Sequence, residues 1–258
     1  MAAPSITVTE TPLVLYTLRR ADDALILGHR LSEWCGHAPV LEEDMALSNM
    51  ALDLIGQARE LYGYAAKVEG RDNDEDKLAY LRDVRQYRNL LLVERLNGDF
   101  AHTMVRQLFY AAFADLYWRG MMGSTDATLA AIAAKSEKEC AYHLRHASEW
   151  VIRLGDGTDE SHARAQVAVD DLWAFTGEMF GVDDAERGLI DAGIAIDPTM
   201  LLPEWLSIVS HVAREATLVL PENDWMQQGG RYGRHSEHLG HLLSELQYMQ
   251  RSFPGATW

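Results

Sequence analysis

Residues 40–69, VLEEDMALSNMALDLIGQARELYGYAAKVE, hold helical periodicity without a break, and this run limits the possible folds more than any other stretch. Leu47, Met50, Leu54, Ala58, Leu61, Ala65 and Val68 recur at spacings of three and four, which puts them on one face of a helix. At ~1.5 Å per residue that helix is about 45 Å long. Such a length belongs to a large helical bundle. Met45, Leu52 and Ile55 make much of the remaining surface apolar as well, so the helix is expected to be buried on most sides. Asn49, Asp53 and Gln57 nevertheless recur within it at i, i+4 and i+8, and buried polar groups need partners.

The rest of the chain reads as helix too. One helix is expected from Pro12 to about residue 34, with Thr11 as N-cap, Pro at the first position and a stop at Gly36 and Pro39. Others are expected over about 76–90, 99–122, 126–154, 159–180, 184–192, 199–218 and 235–252, punctuated by loops such as GRDNDED, GSTD and LGDGTDE. No Asn-Gly hairpin separates alternating segments, and β-branched residues do not cluster, so the fold class is all-α. Pairing 12–35 with 40–69 and 99–122 with 126–154 gives two helical hairpins and one four-helix core, with the later helices packed around it. No linker divides the chain. Residues 1–11 read as a tail and 12–258 as a single domain.

Charge restricts the partners. With 39 acidic against 23 basic side chains the net charge is −16, which disfavours nucleic acid and anionic membrane as general partners. The start MAAPSITVTE has no secretory pattern and no run approaches a membrane span, so the expected location is the cytoplasm. Cys35 and Cys140, both inside helical patterns, are expected to be buried thiols rather than a disulfide. The aromatic-rich helix at 99–122 gives the chain more apolar surface than one bundle needs, which suggests association with a partner.

The stretch KSEKECAYHLRHASEW, residues 135–150, raises the question of a metal site. Di-iron carboxylate bundles take Glu-x-x-His from each of two helices, because residues three apart converge on one point. Here Glu139 is followed at that offset by Tyr142, while His143 falls one residue late. Asp53 is followed by Gly56, which has no donor to offer. Hydrogen bonding among these groups is the simpler reading. His238, His241 and Glu245 share a face of the last helix and could also suit a metal, next to His235 in GRHSEH. In YLRDVRQYRNLLL, Arg82, Arg85 and Arg88 recur every three residues beside Gln86, Tyr87 and Asn89, a local basic patch suited to phosphate. No Walker loop or Gly-x-Gly-x-x-Gly fingerprint competes with it.

Four longer stretches, from LILGHRLSEWCGHAPVLEEDMALSNMALDLIGQARELYGYAA through RDVRQYRNLLLVERLNGDFAHT and YHLRHASEWVIRLGDGTDES to GRHSEHLGHLLSELQYMQR, resemble the family of non-catalytic structural subunits of multicomponent ring-1,2-phenylacetyl-CoA epoxidases. The likeness runs from about residue 13 to Trp258. It implies a ferritin-like bundle whose metal site is degenerate at Asp53, Gly56, Glu139, Tyr142 and His143, with no catalytic residue and no cofactor of its own. It further implies a ferritin-like catalytic partner holding the di-iron centre, other subunits, a separate reductase and phenylacetyl-CoA as substrate. Contact with the CoA portion is expected at Arg85, Gln86, Tyr87, Arg88 and Asn89, and at Arg187, Gly188 and Leu189. Two other readings compete: a free-standing di-metal oxidase or metal store using Asp23, Asp53, Asp115, Glu139 and His143, and a helical interaction module related by ancestry alone.

Overall fold

The computed structural model describes residues 5–222 and 225–256, and among these every regular element is a helix. Helix α1 spans Pro12–Ser32 and starts as its sequence dictates, with Thr11 Oγ1 accepting from the Val14 amide at 3.3 Å and Pro12 in the first turn. Helix α2 spans Leu41–Glu69 and ends on Gly70 at φ +69°, a left-handed cap that glycine adopts without strain. Short α3, Glu75–Tyr80, follows.

The helix expected over 76–90 stops there. A 3₁₀ turn at Val84–Gln86 and the four-residue α4, Leu91–Glu94, interrupt an otherwise irregular path. The three arginines therefore share no helical face. They are separated because Arg82 is drawn into the interior by a carboxylate on α1, as described below.

Helices α5, Phe100–Met121, and α6, Ala127–Gly155, form the second hairpin, capped by Asp99 and by Asp126, whose carboxylate accepts from the Thr128 and Leu129 amides. Then come α7, Asp159–Trp173; α8, Asp184–Asp191; α9, Leu202–Glu215; α10, Glu237–Leu246; and α11, Tyr248–Ser252. The regions expected as 159–180, 199–218 and 235–252 are each part α-helix and part 3₁₀ or second helix.

Packing gives each helix a different degree of cover. Helix α1 lies along α2, α5 along α6, and α2 meets α6 to close the core. Helices α7 and α9 pack over α5 and α6, while α8 covers α1. As a result residues 103–118 of α5 are all buried. Its aromatics face inward rather than toward a partner: Phe109 meets Trp173 and Trp205, Phe113 meets Phe180, and the Trp205 indole donates to the Phe109 carbonyl at 2.9 Å.

The expectation for α2 is also corrected. Its inner stripe of Leu47, Met50, Leu54, Ala58, Leu61 and Ala65 is fully buried, but Met45 and Leu52 are 60% and 66% exposed and Asn49 lies outside. Among the described helices, only α1, α3 and α6 cover it extensively. Cys35 is exposed in the turn after α1, whereas Cys140 is buried. Residues 5–10 run extended along the 81–88 segment, with Ile6 N donating to Leu81 O and Gln86 Nε2 to Ile6 O. No described helix is long and apolar enough to cross a membrane.

Candidate functional site

Of the residues singled out as metal-site relics, Asp53, Glu139 and His143 lie along the antiparallel contact of α2 and α6. Four polar pairs bridge it in sequence: Glu43 with His146 at 2.7 Å, Asp53 with His143 at 3.1 Å, Gln57 Nε2 to Glu139 Oε2 at 2.8 Å, and Lys135 to Glu60 at 2.5 Å. Pairing removes the penalty of about 1–3 kcal/mol that each buried group would otherwise incur. Burial pushes the Glu139 carboxyl above the usual range, an effect opposed by the Gln57 hydrogen bond. Burial likewise pushes the Cys140 thiol up, which makes it a poor nucleophile and a poor metal ligand.

These donors do not fit a di-metal centre. Among the described residues no group of three or more His, Cys, Asp or Glu side chains converges as a metal ion requires. Asp23 and Asp115, which a metal-bearing alternative would recruit, are paired with Arg231 and Arg119. Gly56 and Tyr142 turn away from the seam: Tyr142 is exposed beside the Arg145 guanidinium, and a Cβ at Gly56 would meet nothing within 4 Å. Gly56 is therefore not in a packed core, and the Cβ of a histidine there would meet no steric barrier. Gly56→His with Asp53→Glu is expected to fold with stability equal to the parent or higher by a few tenths of a kcal/mol, since glycine is a poor helix former. The same variant should bind no stoichiometric iron or manganese, because half-buried position 56 points away from the Asp53–His143 and Gln57–Glu139 pairs. Thermal melting and metal analysis check both halves.

The charges that matter most to the architecture sit elsewhere, in RRADD of α1. Arg19, Arg20, Asp22 and Asp23 are all buried. Asp22 takes a two-pronged contact from Arg82, whose Nε also donates to Leu78 O at 2.6 Å. Asp23 receives both Arg231 Nη atoms, at 2.9 and 2.7 Å, and the Leu90 amide at 2.7 Å. Burial pushes the Asp23 carboxyl up, and Arg231 and Arg20 oppose that shift. Arg19 pairs with Asp183 and, at 2.9 Å, with Glu186 of α8.

The buried Glu178 carboxylate accepts from the amides of Leu91, Gly229 and Arg231. His235, with no side-chain exposure, lies between Glu94 at 2.8 Å and the Tyr87 carbonyl at 3.0 Å. His238 contributes its carbonyl to Arg30, and His241 is exposed, so the C-terminal histidines do not assemble. Adjacent charges of both signs in an otherwise apolar helix were the sequence signal for this network.

The 82–89 segment is anchored by the same network. Arg82, Tyr87 and Asn89 are fully buried. Asn89 Nδ2 donates to Glu94, and the Tyr87 hydroxyl donates to Ala79 O. Gln86 is held by Ser5, Ile6 and Asp83; Arg88 pairs with Glu10 at 2.7 Å; Arg85 is exposed and has no side-chain partner among the described residues. On α8, Arg187 and Gly188 are exposed and Leu189 is buried. Both segments are tied to one stretch of α1, since Arg231 also donates to Arg88 O and Arg19 O while Arg19 holds the start of α8. A cleft of about 180 Å³ is lined by Arg19, Glu178, Asp183, Gln228, Arg231 and Tyr232, and by no residue of 82–89 or of α8.

Fold and seam together define an all-α, ferritin-like bundle whose α2–α6 contact is built from hydrogen-bonded polar pairs. Residues 2–258 match the family described as phenylacetic acid catabolic protein, and the chain belongs to that family. It is 49% identical over 246 residues to one of the subunits of 1,2-phenylacetyl-CoA epoxidase of Escherichia coli (strain K12), a match covering 95% of this chain and 99% of that protein.

Proposed function

We propose that the chain is a non-catalytic structural subunit of a cytoplasmic phenylacetyl-CoA epoxidase complex, supporting a related subunit that holds the di-iron centre. The observation that carries this reading is the α2–α6 seam, where Asp53 and Glu139 are spent on His143 and Gln57 and where Gly56 and Tyr142 replace the histidines a di-iron bundle needs. The near full-length likeness to a subunit of the Escherichia coli epoxidase supports the same reading. The chain purified alone should have no epoxidase activity. Co-expressed with the catalytic chain from the same genome it should form a stable hetero-oligomer with activity. Stoichiometric iron and turnover in the chain alone would overturn the reading.

The reading extends to a contact with the CoA portion of the substrate. The Tyr87 and Asn89 side chains shape the segment from within, which leaves Arg85, Gln86 and Arg88, with Arg187 on α8, as the groups able to reach a phosphate. Arg88 would exchange Glu10 for the ligand. Charge-assisted hydrogen bonds contribute about 1.5–3 kcal/mol each, so Arg85→Ala with Arg88→Ala should weaken CoA-ester binding by the complex at least about 10-fold without dissociating it. Calorimetry on the intact complex measures this, and unchanged affinity would reduce the patch to a solvated face.

A further inference from the structure

The basic segment at residues 85–88 is covered by a piece of the chain itself. Residues 5–10 read as tail in the sequence, yet they lie along this segment and are fastened at several points. Ile6 and Val8 are partly buried against the core. The Thr9 amide donates to Glu69 Oε1 at 2.7 Å, and Asn73 Nδ2 donates to the Thr7 carbonyl at 3.3 Å. Pro12 then begins α1 and fixes the C-terminal end of the arm.

The arm occupies two of the side chains that could reach a phosphate. Gln86 is used from both sides of its amide: Nε2 donates to the Ile6 carbonyl at 2.9 Å, while Oε1 accepts from Ser5 Oγ at 2.5 Å and from the Asp83 amide at 2.8 Å. Arg88 is oriented by Nη1, which donates to the carbonyls of Arg85 and Tyr87 at 2.7 and 3.0 Å. Its Nη2 donates to Glu10 Oε1 at 2.7 Å. A Cβ at Gly233 would lie 2.8 Å from Arg88 Nη1, so the guanidinium has no room to swing toward that residue and away from the arm.

The other charges nearby are engaged elsewhere or are cations. Asp22 accepts from the Arg88 amide but is paired with buried Arg82. Asp83 pairs with Arg251 at 3.3 Å, and Glu69 serves Thr9 and Asn73. Arg85, and Arg234 next to Gly233, are exposed. Among the described residues, Glu10 is therefore the carboxylate set on a cation of this segment. A phosphate offers more charge and more acceptor oxygens than one carboxylate, so it can replace Glu10 on Arg88 and engage Arg85 as well.

We infer that residues 5–10 are a strap over the anion-binding segment, in which Glu10 holds the place of a ligand phosphate on Arg88 until the ligand displaces it. The inference rests on the CoA-contact reading and adds an internal competitor to it. Competition of this kind is reciprocal: removing Glu10 tightens ligand binding, and ligand loosens the strap.

The test uses the intact complex of the full chain with the catalytic epoxidase chain from the same genome, and phenylacetyl-CoA as probe. The Arg88 and Glu10 side chains are 15% and 35% exposed, so the pair is partly screened, and Glu10→Gln should tighten binding about 3-fold by calorimetry. In an Arg88→Ala background the same change should have no effect, whereas a general effect of removing one negative charge would persist there. Glu160→Gln, on the exposed surface of α7, is the control for net charge and should bind as the parent does. Saturation with the ester should also speed hydrogen exchange at the Ile6 and Thr9 amides, which the strap bonds to Leu81 O and Glu69. If Arg88→Ala weakens binding but Glu10→Gln does not tighten it, or if those amides exchange no faster with ester bound, the strap is overturned and the CoA contact survives. If neither Arg85→Ala with Arg88→Ala nor Glu10→Gln changes binding, the CoA contact is wrong and both fall. Weaker binding by Glu10→Gln would make Glu10 part of the ligand site and would also overturn the strap.

Discussion

Arg82→Ala should destabilise the protein by about 3–5 kcal/mol, the range for removing one partner of a buried ion pair. Arg82 and Asp22 have no side-chain exposure. The guanidinium also donates to Leu78 O at 2.6 Å, Gln86 O at 3.0 Å and the Tyr62 hydroxyl at 3.1 Å. Its loss leaves two carbonyls without a donor and a buried carboxylate supported only by the Tyr62 hydroxyl and the Arg88 amide. Urea unfolding should show a lower midpoint at a similar slope. A loss below about 1 kcal/mol would mean that water enters and hydrates Asp22. Asp22→Leu combined with Arg82→Met should recover much of the stability, because two apolar groups leave no unpaired charge. The result also bears on ligand binding, since any effect of Arg82 on a CoA ester would act through the shape of the 82–89 segment.

Asp23→Ala is expected to cost a similar ~3–5 kcal/mol, with a different consequence for the chain. Asp23 joins α1 to Arg231, 208 residues away, and accepts from the Leu90 amide on the intervening segment. Without it, Arg231 keeps only the carbonyls of Arg19 and Arg88, and Arg20 loses one of its two nearby carboxylates. Hydrogen exchange should rise first in the 229–236 segment and around Leu90, before the α5–α6 hairpin is affected. Asp23→Ala with Arg231→Met should be less harmful than the sum of the single changes, a coupling that a double-mutant cycle measures. Additive losses would show that the two side chains are not an energetic pair. Loss of bound iron from the parent on changing Asp23 would instead revive the metal-bearing alternative.

Much of the helical frame was legible from local chemistry. Thr11 followed by Pro12, Gly70 after a long periodic run, and Asp99 and Asp126 ahead of apolar stretches each act within a turn or two of their own position, so the ends of α1, α2, α5 and α6 fell close to expectation. Legibility failed where a long-range partner intervened. Residues 76–90 carry a helical pattern, yet Asp22 draws Arg82 inward and Glu94 orders Asn89 and His235, so the path breaks after Tyr80. The basic repeat at Arg82, Arg85 and Arg88 looked like one patch, but its members are a core ion pair, an exposed side chain and a partner of Glu10.

Periodicity and capping, read from neighbouring residues alone, determined that this chain is all-α, that two long hairpins form its core, and that neither Asp53 nor Glu139 is followed by a histidine at the spacing a di-iron bundle uses. Only the tertiary structure decided which apolar faces are covered. Helix α5 read as aromatic-rich and α2 as apolar on most sides, but α7 and α9 close over α5 while, among the described residues, nothing covers Met45 and Leu52 of α2. It also decided that RRADD is interior, because a buried charge is stable only when its counter-charge arrives with the right geometry, and those counter-charges come from residues 60 to 208 positions away. A helix's own sequence states what it needs to bury or pair; which segment meets that need is set by the packing of the whole chain.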